Sequence, residues 1–426
     1  MAMPRISRVF GAVNVGSFRI SAMILGISET GEMIVLGSGH RASQGIKRGY
    51  ITDMAAATYA IRDAVERAEK NAGTDISSVW VGCAGAGLAS RTANVEIDIG
   101  GRRIEEEDID ELLVHARGSI QPDGRMVLHA QPAHYTLDGA HGVANPVGLH
   151  AERLGVDIHV MLAEGAPVRN LIEAVQNAHL EVMSVVAAPI AAGHACLSHE
   201  ERELGAALIE IGGQTTNVSV YTAGMLVGLK AIPMGAADIT DAIASAFGVR
   251  RFQAERLKCV AGSAIASPTD HREMVPVNGP GEDNVNPVAR GADDQNRIPR
   301  AELVSVVTEQ LSLLSDEINR ALKDMGFAGA RGGQMVLTGG GAELAGIAEF
   351  MQSALGRTVR IGKPPVLRGL PEAHANPGFA TLTGICLYAA DDPLDIRTID
   401  MGYQKTVKAG GVALVNRVFR AAREYF

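Results

Sequence analysis

The chain of 426 residues is long enough for two or more domains, each around its own hydrophobic core. Its 48 aspartates and glutamates outnumber its 39 lysines and arginines, and the formal net charge of −9 argues against nucleic-acid binding as the main role. No stretch reaches the ~18 apolar residues of a transmembrane helix and no secretion signal is recognised, so a soluble, cytoplasmic protein is expected. Four cysteines are scattered without the spacing of a metal site or a disulfide framework, three of them in apolar surroundings, which predicts buried thiols in a reducing compartment.

The first motif lies close to the N-terminus, in residues 10–25, FGAVNVGSFRISAMIL. Apolar runs flank Gly16 and Ser17, a pattern that predicts two strands joined by a glycine turn. Glycine lets the backbone adopt positive φ and approach a ligand closely, while the turn exposes backbone N–H groups. The elements predicted to follow are a strand at 33–38, an amphipathic helix at 53–72 and a strand at 79–83.

The chain changes character between residues 88 and 161. A helix with an acidic first turn, 105–117, stands among predicted strands at 92–99, 127–137 and 156–162. This order predicts a small α+β module inserted between elements of the larger domain. Its histidines lack metal-ligand spacing, so structural or surface roles are expected for His115, His129, His134, His141, His150 and His159.

The central motif, ALIEIGGQTTNVSVY at residues 207–221, repeats the pattern of the first. Apolar runs flank Gly212 and Gly213, and Thr215 and Thr216 add two hydroxyls to the turn. Two similar hairpins roughly 200 residues apart predict a duplicated core that grips a ligand between its halves. Two unrelated hairpins are the alternative explanation.

The third glycine-rich site is QMVLTGGGAEL at residues 334–344, where a strand, three glycines and a helix are predicted in succession. In this arrangement a closely approaching backbone and a helix N-terminus hold a phosphate or a nucleotide. The other elements predicted in this half are helices at 237–247, 251–261, 298–325 and 379–388, and a polar segment at 267–300 with a short strand at 274–277.

The last motif is GGVALVNRVFRAAREYF at residues 410–426. As a helix it would span roughly 25 Å, with valines and aromatics on one face and most of its charged side chains opposite. It is too polar to cross a bilayer and suits the surface of an anionic membrane, whereas packing on the protein's own core is the alternative. The residues predicted to meet the membrane are Val412, Val415, Arg417, Val418, Phe419, Arg420, Arg423 and Phe426.

The order of these motifs resembles the actin/Hsp70/sugar-kinase superfamily, and within it the chain is similar to the FtsA family of bacterial actin-like cell-division proteins. The similarity covers almost the whole chain. The stretches that carry it are VLHAQPAHYTLDG and NPVGL in the inserted module, followed by ERELGAALIEIGG, AIPMGAADITDAIASAFG, AERLK and VLTGGGAEL.

The resemblance implies an α/β actin-like fold, with ribonuclease H-like duplicated domains around a nucleotide cleft and an inserted α+β subdomain 1C. The implied divisions are 1A at 1–87, 163–195 and 379–396, 1C at 88–162, 2A at 196–247 and 301–378, 2B at 248–300, a linker at 397–410 and an amphipathic membrane-targeting helix at 411–426.

The resemblance also implies ATP as the cofactor, with Mg²⁺ held through water near Glu210 and no direct protein ligand to the metal. Backbone N–H groups of the two hairpins would hold phosphates, three glycines would approach the adenosine, and Glu255 and Lys258 would lie at the ribose and base. A solvated pair on a helix face is the alternative for these two residues. The residues assigned to the nucleotide are Asn14, Gly16, Ser17, Phe18, Gly212, Gly213, Gln214, Thr215, Thr216, Glu255, Lys258, Gly339, Gly340 and Gly341.

Several residues depart from the superfamily pattern of carboxylates on both hairpins. The first hairpin carries Asn14, and the second has Asn217 where an acid is usual. Glu210 is the retained acid and the one catalytic candidate, while Gln214 replaces a glycine and would enter or cross the cleft. An amide supplies Mg²⁺ with an oxygen but no charge. We therefore expect nucleotide binding with slow or absent hydrolysis.

The implied function is an ATP-binding scaffold that tethers polymers of the tubulin-like FtsZ to the cytoplasmic face of the inner membrane and recruits later division proteins. Self-assembly into filaments and an FtsZ contact within residues 248–297 belong to the same implication. A small-metabolite kinase of this fold and a pilus-assembly actin-like protein are the rivals. No nucleic-acid partner is expected.

Overall fold

The computed structural model describes residues 5–85, 87–277, 297–327 and 333–398. The strands are β1 Ile6–Val15, β2 Arg19–Ser28, β3 Met33–Ala42, β4 Ile46–Lys47, β5 Tyr50–Ile51, β6 Ser78–Cys83, β7 Ala89–Asp98, β8 Met126–Leu137, β9 Ala140–Val143, β10 Arg153–Ala163, β11 Glu181–Ala187, β12 Ala206–Ile211, β13 Thr216–Thr222, β14 Met225–Ile232, β15 Met274–Pro276, β16 Arg297–Pro299, β17 Gln334–Thr338 and β18 Val359–Ile361. The helices are α1 Met54–Ala72, α2 Glu106–Ser119, α3 Gly165–Asn177, α4 Ala188–Cys196, α5 His199–Leu204, α6 Ala236–Phe247, α7 Arg251–Ala261, α8 Arg300–Asp324, α9 Ile347–Leu355 and α10 Ala380–Asp391.

Two sheets share one strand order. In the first, β1, β2 and β3 form an antiparallel meander, and β6 and β11 add in parallel beyond β1. In the second, β12, β13 and β14 form the meander, and β17 and β18 add in parallel beyond β12. The repeated order confirms the predicted duplication of the core. We call the first sheet with α1, α3, α4 and α10 the first lobe, and the second sheet with α6, α7, α8 and α9 the second lobe.

Alternating side chains of β12 divide between two cores. Ala206 and Leu208 belong to the core shared with the first lobe, whereas Ala207, Ile209 and Ile211 belong to the core under α8 and α9. Successive strand side chains point to opposite faces, so a strand covered on both sides is apolar throughout. This accounts for the unbroken apolar run that marked the motif in the sequence.

The helices α4 and α10 pack against each other within the core of the first lobe, and α4 also contacts β12 and β17 of the second lobe. A Cβ on Gly384 would lie 1.8 Å from the carbonyl oxygen of Ala191, so the two backbones meet where a side chain has no room. Both helices are buried around most of their circumference, as expected for helices that lie between two layers.

The inserted module consists of β7, β8, β9 and β10 with α2 packed on them, around a separate core. It leaves the first lobe after β6 and returns to it at α3. Its sheet continues that of the second lobe through the pairing of Ala89 in β7 with Lys230 in β14. The prediction of an inserted α+β module is therefore confirmed, and its attachment to the second lobe is an addition that periodicity did not reveal.

The described residues that follow α10 pack against the inserted module. Ile396 is fully buried in the core of the module, and Arg397 donates a hydrogen bond of 2.9 Å to the carbonyl oxygen of Val127 in β8. Asp395 accepts hydrogen bonds from the Arg397 guanidinium and fixes its position. The segment 379–396 thus packs on the first lobe through α10 and then on the module.

Local predictions agree with these elements except at the third glycine site. There β17 is followed by a short 3-10 turn, Gly340–Glu343, and α9 begins only at Ile347. Gly346 has a φ of 75°, in the left-handed region, and separates the turn from the helix. Cys83, Cys196 and Cys386 are buried as expected, but Cys259 is exposed.

The membrane helix predicted at 411–426 and most of the polar segment 267–300 lie outside the described residues. Within the described part of the chain, no helix combines the length and apolar character needed to cross a bilayer.

Candidate nucleotide site

A cavity of about 480 Å³ lies between the two lobes, within the size range of small-molecule sites. It brings together elements that are far apart in the chain: both hairpin turns, α6, α7 and the turn after β17. The predicted nucleotide residues that line it are Asn14, Gly16, Ser17, Phe18, Gly212, Gly213, Thr215, Glu255, Lys258, Gly339, Gly340 and Gly341.

The two hairpin turns have the same geometry. In each, four residues connect a paired couple, Val15 with Ile20 in the first lobe and Ile211 with Thr216 in the second. The first glycine of each turn donates its N–H to the carbonyl of the fourth residue, at 3.2 Å for Gly16 and 2.9 Å for Gly212. A Cβ on either glycine would lie 2.8 Å from that carbonyl oxygen, so the turns require glycine there.

One step beyond each turn stands a pair of polar residues in cross-strand register. Asn14 faces Ser21 in the first lobe, and Glu210 faces Asn217 in the second. All four line the cavity. Strand register therefore makes Glu210 the counterpart of Asn14, and the two halves present one carboxyl group against three neutral polar groups.

Glu210 is held in place by its neighbours. Asn217 Nδ2 donates a hydrogen bond of 2.9 Å to Glu210 Oε2, and the Thr381 hydroxyl donates to Oε1. Burial raises the pKa of the Glu210 carboxyl, and these two hydrogen bonds only partly oppose the shift. Asn217 Oδ1 is buried without a hydrogen-bond partner, although the residue lines the cavity. A buried acceptor of this kind calls for a donor supplied by water or a ligand.

The third glycine site closes the cavity from the second lobe. Gly339 has a φ of 84°, and a Cβ there would lie 2.5 Å from the carbonyl oxygen of Ile211. Gly341 likewise packs on the Ile211 side chain, whereas a Cβ on Gly340 would meet no atom within 4 Å. Gly339 and Gly341 are thus required by packing, and Gly340 presents bare backbone to open space in the cavity.

Glu255 and Lys258 form a buried pair on α7. Lys258 Nζ donates hydrogen bonds to Glu255 Oε2, Thr240 Oγ1 and the carbonyl of Ala236, at 2.8, 2.8 and 2.9 Å. Burial acts to raise the pKa of Glu255, but the hydrogen bonds from Lys258 and Thr240 outweigh it and the pKa is lowered. Both residues of this ion pair line the cavity, and the Lys258 side chain is buried.

Arg19, the last residue of the first turn, also lines the cavity and was not predicted. Its guanidinium lies 3.8 Å from the centre of the Phe379 ring and donates a 3.0 Å hydrogen bond to the carbonyl of Gly378. Burial lowers the pKa of Arg19, and nearby Glu343 opposes that shift. The sequence signal that was available is a basic residue in a glycine turn, but the contact of Arg19 with Gly378, 359 residues away, depends on the fold.

Two of the predicted residues do not line the cavity. Thr216 is fully buried, and its hydroxyl donates to the carbonyl of Met234 at 2.8 Å. The Gln214 side chain reaches the first lobe, where its Oε1 accepts a hydrogen bond of 2.7 Å from the backbone N–H of Arg48. Gln214 therefore crosses the cleft, as the sequence suggested, but forms a bond between the lobes.

These residues fit a magnesium nucleotide. Two glycine turns with exposed backbone suit phosphates, and the orphaned Asn217 Oδ1 beside Glu210 suits water held by a hard cation. The pair of Glu255 and Lys258 on α7 and the open backbone of Gly340 after β17 also line this cavity. Among the described residues, no cluster of three or more histidine, cysteine or acidic side chains forms a direct metal site.

Known structures share this architecture. A chain of a PilM–PilN type IV pilus biogenesis complex aligns over 91% of this chain and 99% of its own length, with a TM-score of 0.61 and 16% identity. MreB5 of Spiroplasma citri bound to ADP aligns over 90% of this chain and 96% of its own, with a TM-score of 0.54 and 13% identity. With its duplicated sheets around a glycine-lined cleft, the chain has an actin-like fold.

The sequence comparisons define its family. A model described as "Cell division protein FtsA" matches residues 207–384, and one described as "SHS2 domain inserted in FTSA" matches residues 85–162. The cell division protein FtsA of Rhizobium meliloti (strain 1021) is 35% identical over 434 residues, which cover 99% of this chain and 95% of the relative. The chain belongs to the FtsA family of cell division proteins.

Proposed function

We infer that the protein is an ATP-binding, slowly hydrolysing or non-hydrolysing actin-like scaffold of the bacterial division site. The observation that carries this proposal is the pair of matching glycine turns, Gly16–Arg19 and Gly212–Thr215, one from each lobe, that line one cavity. Backbone N–H groups of such turns bind anionic oxygens. Mg²⁺, when bound, would supply positive charge that neutralises the phosphates, and Asn217 Oδ1, beside Glu210, would accept a hydrogen bond from its water.

The same side chains argue for weak hydrolysis. A general base must be ionised and have an acceptor oxygen directed at the attacking water. Glu210 is buried, and both of its oxygens already accept hydrogen bonds, from Thr381 and from Asn217, so neither is directed at an attacking water. The equivalent residue of the first lobe, Asn14, adds no charge, so the site orients a nucleotide better than it activates water.

Calorimetric titration with Mg-ATP and Mg-ADP tests the binding claim, and phosphate release tests the claim about turnover. We expect saturable binding of both nucleotides and release far below about 1 s⁻¹, the lower end of ordinary enzyme turnover. Turnover above that rate, abolished by Glu210→Ala with binding retained, would show that the site is a working ATPase.

Membrane attachment through residues 411–426 is the second part of the proposal, and it rests on the sequence pattern and the family. Deleting 411–426 should release the protein from liposomes that contain anionic lipid. Phe419→Glu places a charge on the predicted apolar face and should weaken binding strongly. Asn416→Glu adds the same charge to the opposite face and is the matched control, with a much smaller effect expected. Equal binding by the full-length and deleted proteins would contradict this assignment.

Tethering of FtsZ polymers to the cytoplasmic face of the inner membrane is the third part, with a contact within residues 248–297. Recruitment of later division proteins and self-assembly into filaments are proposed on the same family basis. Co-sedimentation of FtsZ polymers with liposomes should require this protein and its residues 411–426. A pilus-assembly role would leave FtsZ in the supernatant, and a kinase would transfer phosphate to a metabolite without binding either partner.

A further inference from the structure

A small hairpin of the first lobe, formed by β4 and β5, reaches the mouth of the cavity. Its turn residues, Arg48 and Gly49, have φ values of 51° and 80°, both in the left-handed region. Two consecutive left-handed residues make the tight turn that suits a two-residue hairpin loop. In such a turn the N–H groups of both central residues are directed away from the hairpin ladder and need acceptors elsewhere.

This turn is packed firmly on the first lobe. A Cβ on Gly49 would lie 2.0 Å from the carbonyl oxygen of Ala84, and a Cβ on Gly85 would lie 2.7 Å from that of Arg48. Beside the turn, Tyr50 donates a hydrogen bond of 3.3 Å to Glu164 Oε2 at the start of α3. The turn is therefore packed on the first lobe, and a contact made to the turn is also a contact made to that lobe.

The two N–H groups of the turn are accepted by side chains from different hairpins. Gly49 donates to Ser17 Oγ at 3.2 Å, and Ser17 belongs to the first lobe. Arg48 donates to Gln214 Oε1 at 2.7 Å, and Gln214 belongs to the second lobe. The two glycine turns, 16–19 and 212–215, also touch here, since a Cβ on Gly213 would lie 2.9 Å from Phe18 Cβ. The Gln214 contact is thus a side-chain bond across the mouth of the cleft.

We propose that Gln214 is a positioning residue that holds the two glycine turns, 16–19 and 212–215, together before a nucleotide is bound. It does so by accepting the hydrogen bond from the Arg48 backbone N–H, which we call the clasp. This deepens the proposed function and rests on it, because it concerns how the same cavity is kept closed. A contact that favours the closed arrangement raises affinity by reducing the ordering required on binding. The glycine at this position in the superfamily pattern has no side chain with which to make such a contact.

The clasp itself is tested without nucleotide, by hydrogen–deuterium exchange of the Arg48 amide. In Gln214→Met the side chain keeps its length but has no oxygen to accept the hydrogen bond. We expect the Arg48 backbone amide to exchange about two- to tenfold faster in this variant, a ratio that corresponds to the net free energy of one hydrogen bond. Gln214→Glu keeps an acceptor oxygen and should preserve slow exchange. Gln352→Met is the matched control, because it removes a side-chain acceptor of a backbone N–H, that of Val359, within the second lobe.

The effect on the cavity is measured by stopped-flow binding and release of a fluorescent ATP analogue with Mg²⁺. Loss of the clasp in Gln214→Met should speed nucleotide release and weaken affinity about two- to tenfold, while Gln352→Met matches the unmodified protein. Gln214→Gly provides a second clasp-free variant if methionine perturbs folding. Unchanged Arg48 exchange, or equal or tighter nucleotide binding in both clasp-free variants, would overturn the proposal. Failure of the unmodified protein to bind nucleotide would instead refute the proposed function, and the exchange experiment would still decide whether the clasp exists.

Discussion

The pair of Glu255 and Lys258 offers a test of whether the cavity residues serve stability, the nucleotide or both. The Lys258 side chain is 10% exposed and that of Glu255 is 26% exposed. Removing one partner of a fully buried ion pair costs about 3–5 kcal/mol, because the other charge is left without compensation. Water still reaches part of Glu255, so we expect Lys258→Met to lower the free energy of unfolding by about 2–3 kcal/mol.

A double variant separates the two roles. Replacing both charges, with Glu255→Gln and Lys258→Met, leaves no unpaired ion, and its unfolding free energy should return to within about 1 kcal/mol of that of the unmodified protein. If the pair contacts the ribose and base, ATP affinity should remain weakened in the double variant although stability has recovered.

Denaturant unfolding and calorimetric ATP titration of the two single variants and the double variant provide both measurements. A double variant with recovered stability and unchanged ATP affinity would refute the ribose and base assignment. A Lys258→Met protein as stable as the unmodified one would refute the argument from burial.

Three further outcomes are expected. Gly339→Ala should lose about 1–3 kcal/mol of stability, because φ is 84° and a Cβ would lie 2.5 Å from the carbonyl oxygen of Ile211. Gly340→Ala should keep its melting temperature but bind ATP more weakly, since its methyl group enters open space in the cavity. Burial lowers the pKa of His159 to about 4. In the unfolded chain the His159 imidazole has its ordinary pKa of about 6.5, so it gains a proton there at a higher pH than in the folded protein. The free energy of unfolding is therefore at its full value above that pH and falls by about 2 kcal/mol by pH 5. His159→Leu should reduce this slope in denaturation curves between pH 7 and 5. Ile396→Ala should cost about 2–4 kcal/mol by emptying a fully buried position in the core of the inserted module, and amide exchange in β8 should rise with it; unchanged exchange there would show that the C-terminal segment does not stabilise the module.

Local patterns in the sequence predicted the strands and glycine turns around the cavity, whereas the assignment of residues to a nucleotide came from the family resemblance. Alternation and apolar runs predicted the strands around Gly16 and Gly212, because strand faces repeat every second residue. The similarity of the two hairpins predicted the duplication, which the matching turn register and strand order confirm. The amphipathic helix predicted at 53–72 is α1, whose buried residues follow the helical period.

The contacts that decide how the cavity works are made between residues distant in the chain. Thr381 reaches Glu210, Arg19 reaches Gly378, and Gln214 reaches Arg48, and in each case the partner is set by how the sheets and helices pack. Periodicity reports which face of an element is buried and carries no information about which element covers it. The placement of Ile396 in the module and the pairing of β7 with β14 are of the same kind.

The sequence by itself determined that this protein has two equivalent glycine turns and a single acid, Glu210, on the strands that flank them, because turn chemistry and strand alternation are local. Only the tertiary structure decided that this acid is buried with a raised pKa, that Lys258 is paired within the cavity, and that Gln214 joins the lobes. Burial, protonation and bonds across a cleft depend on distance in space, and neighbouring residues in the chain do not set that distance.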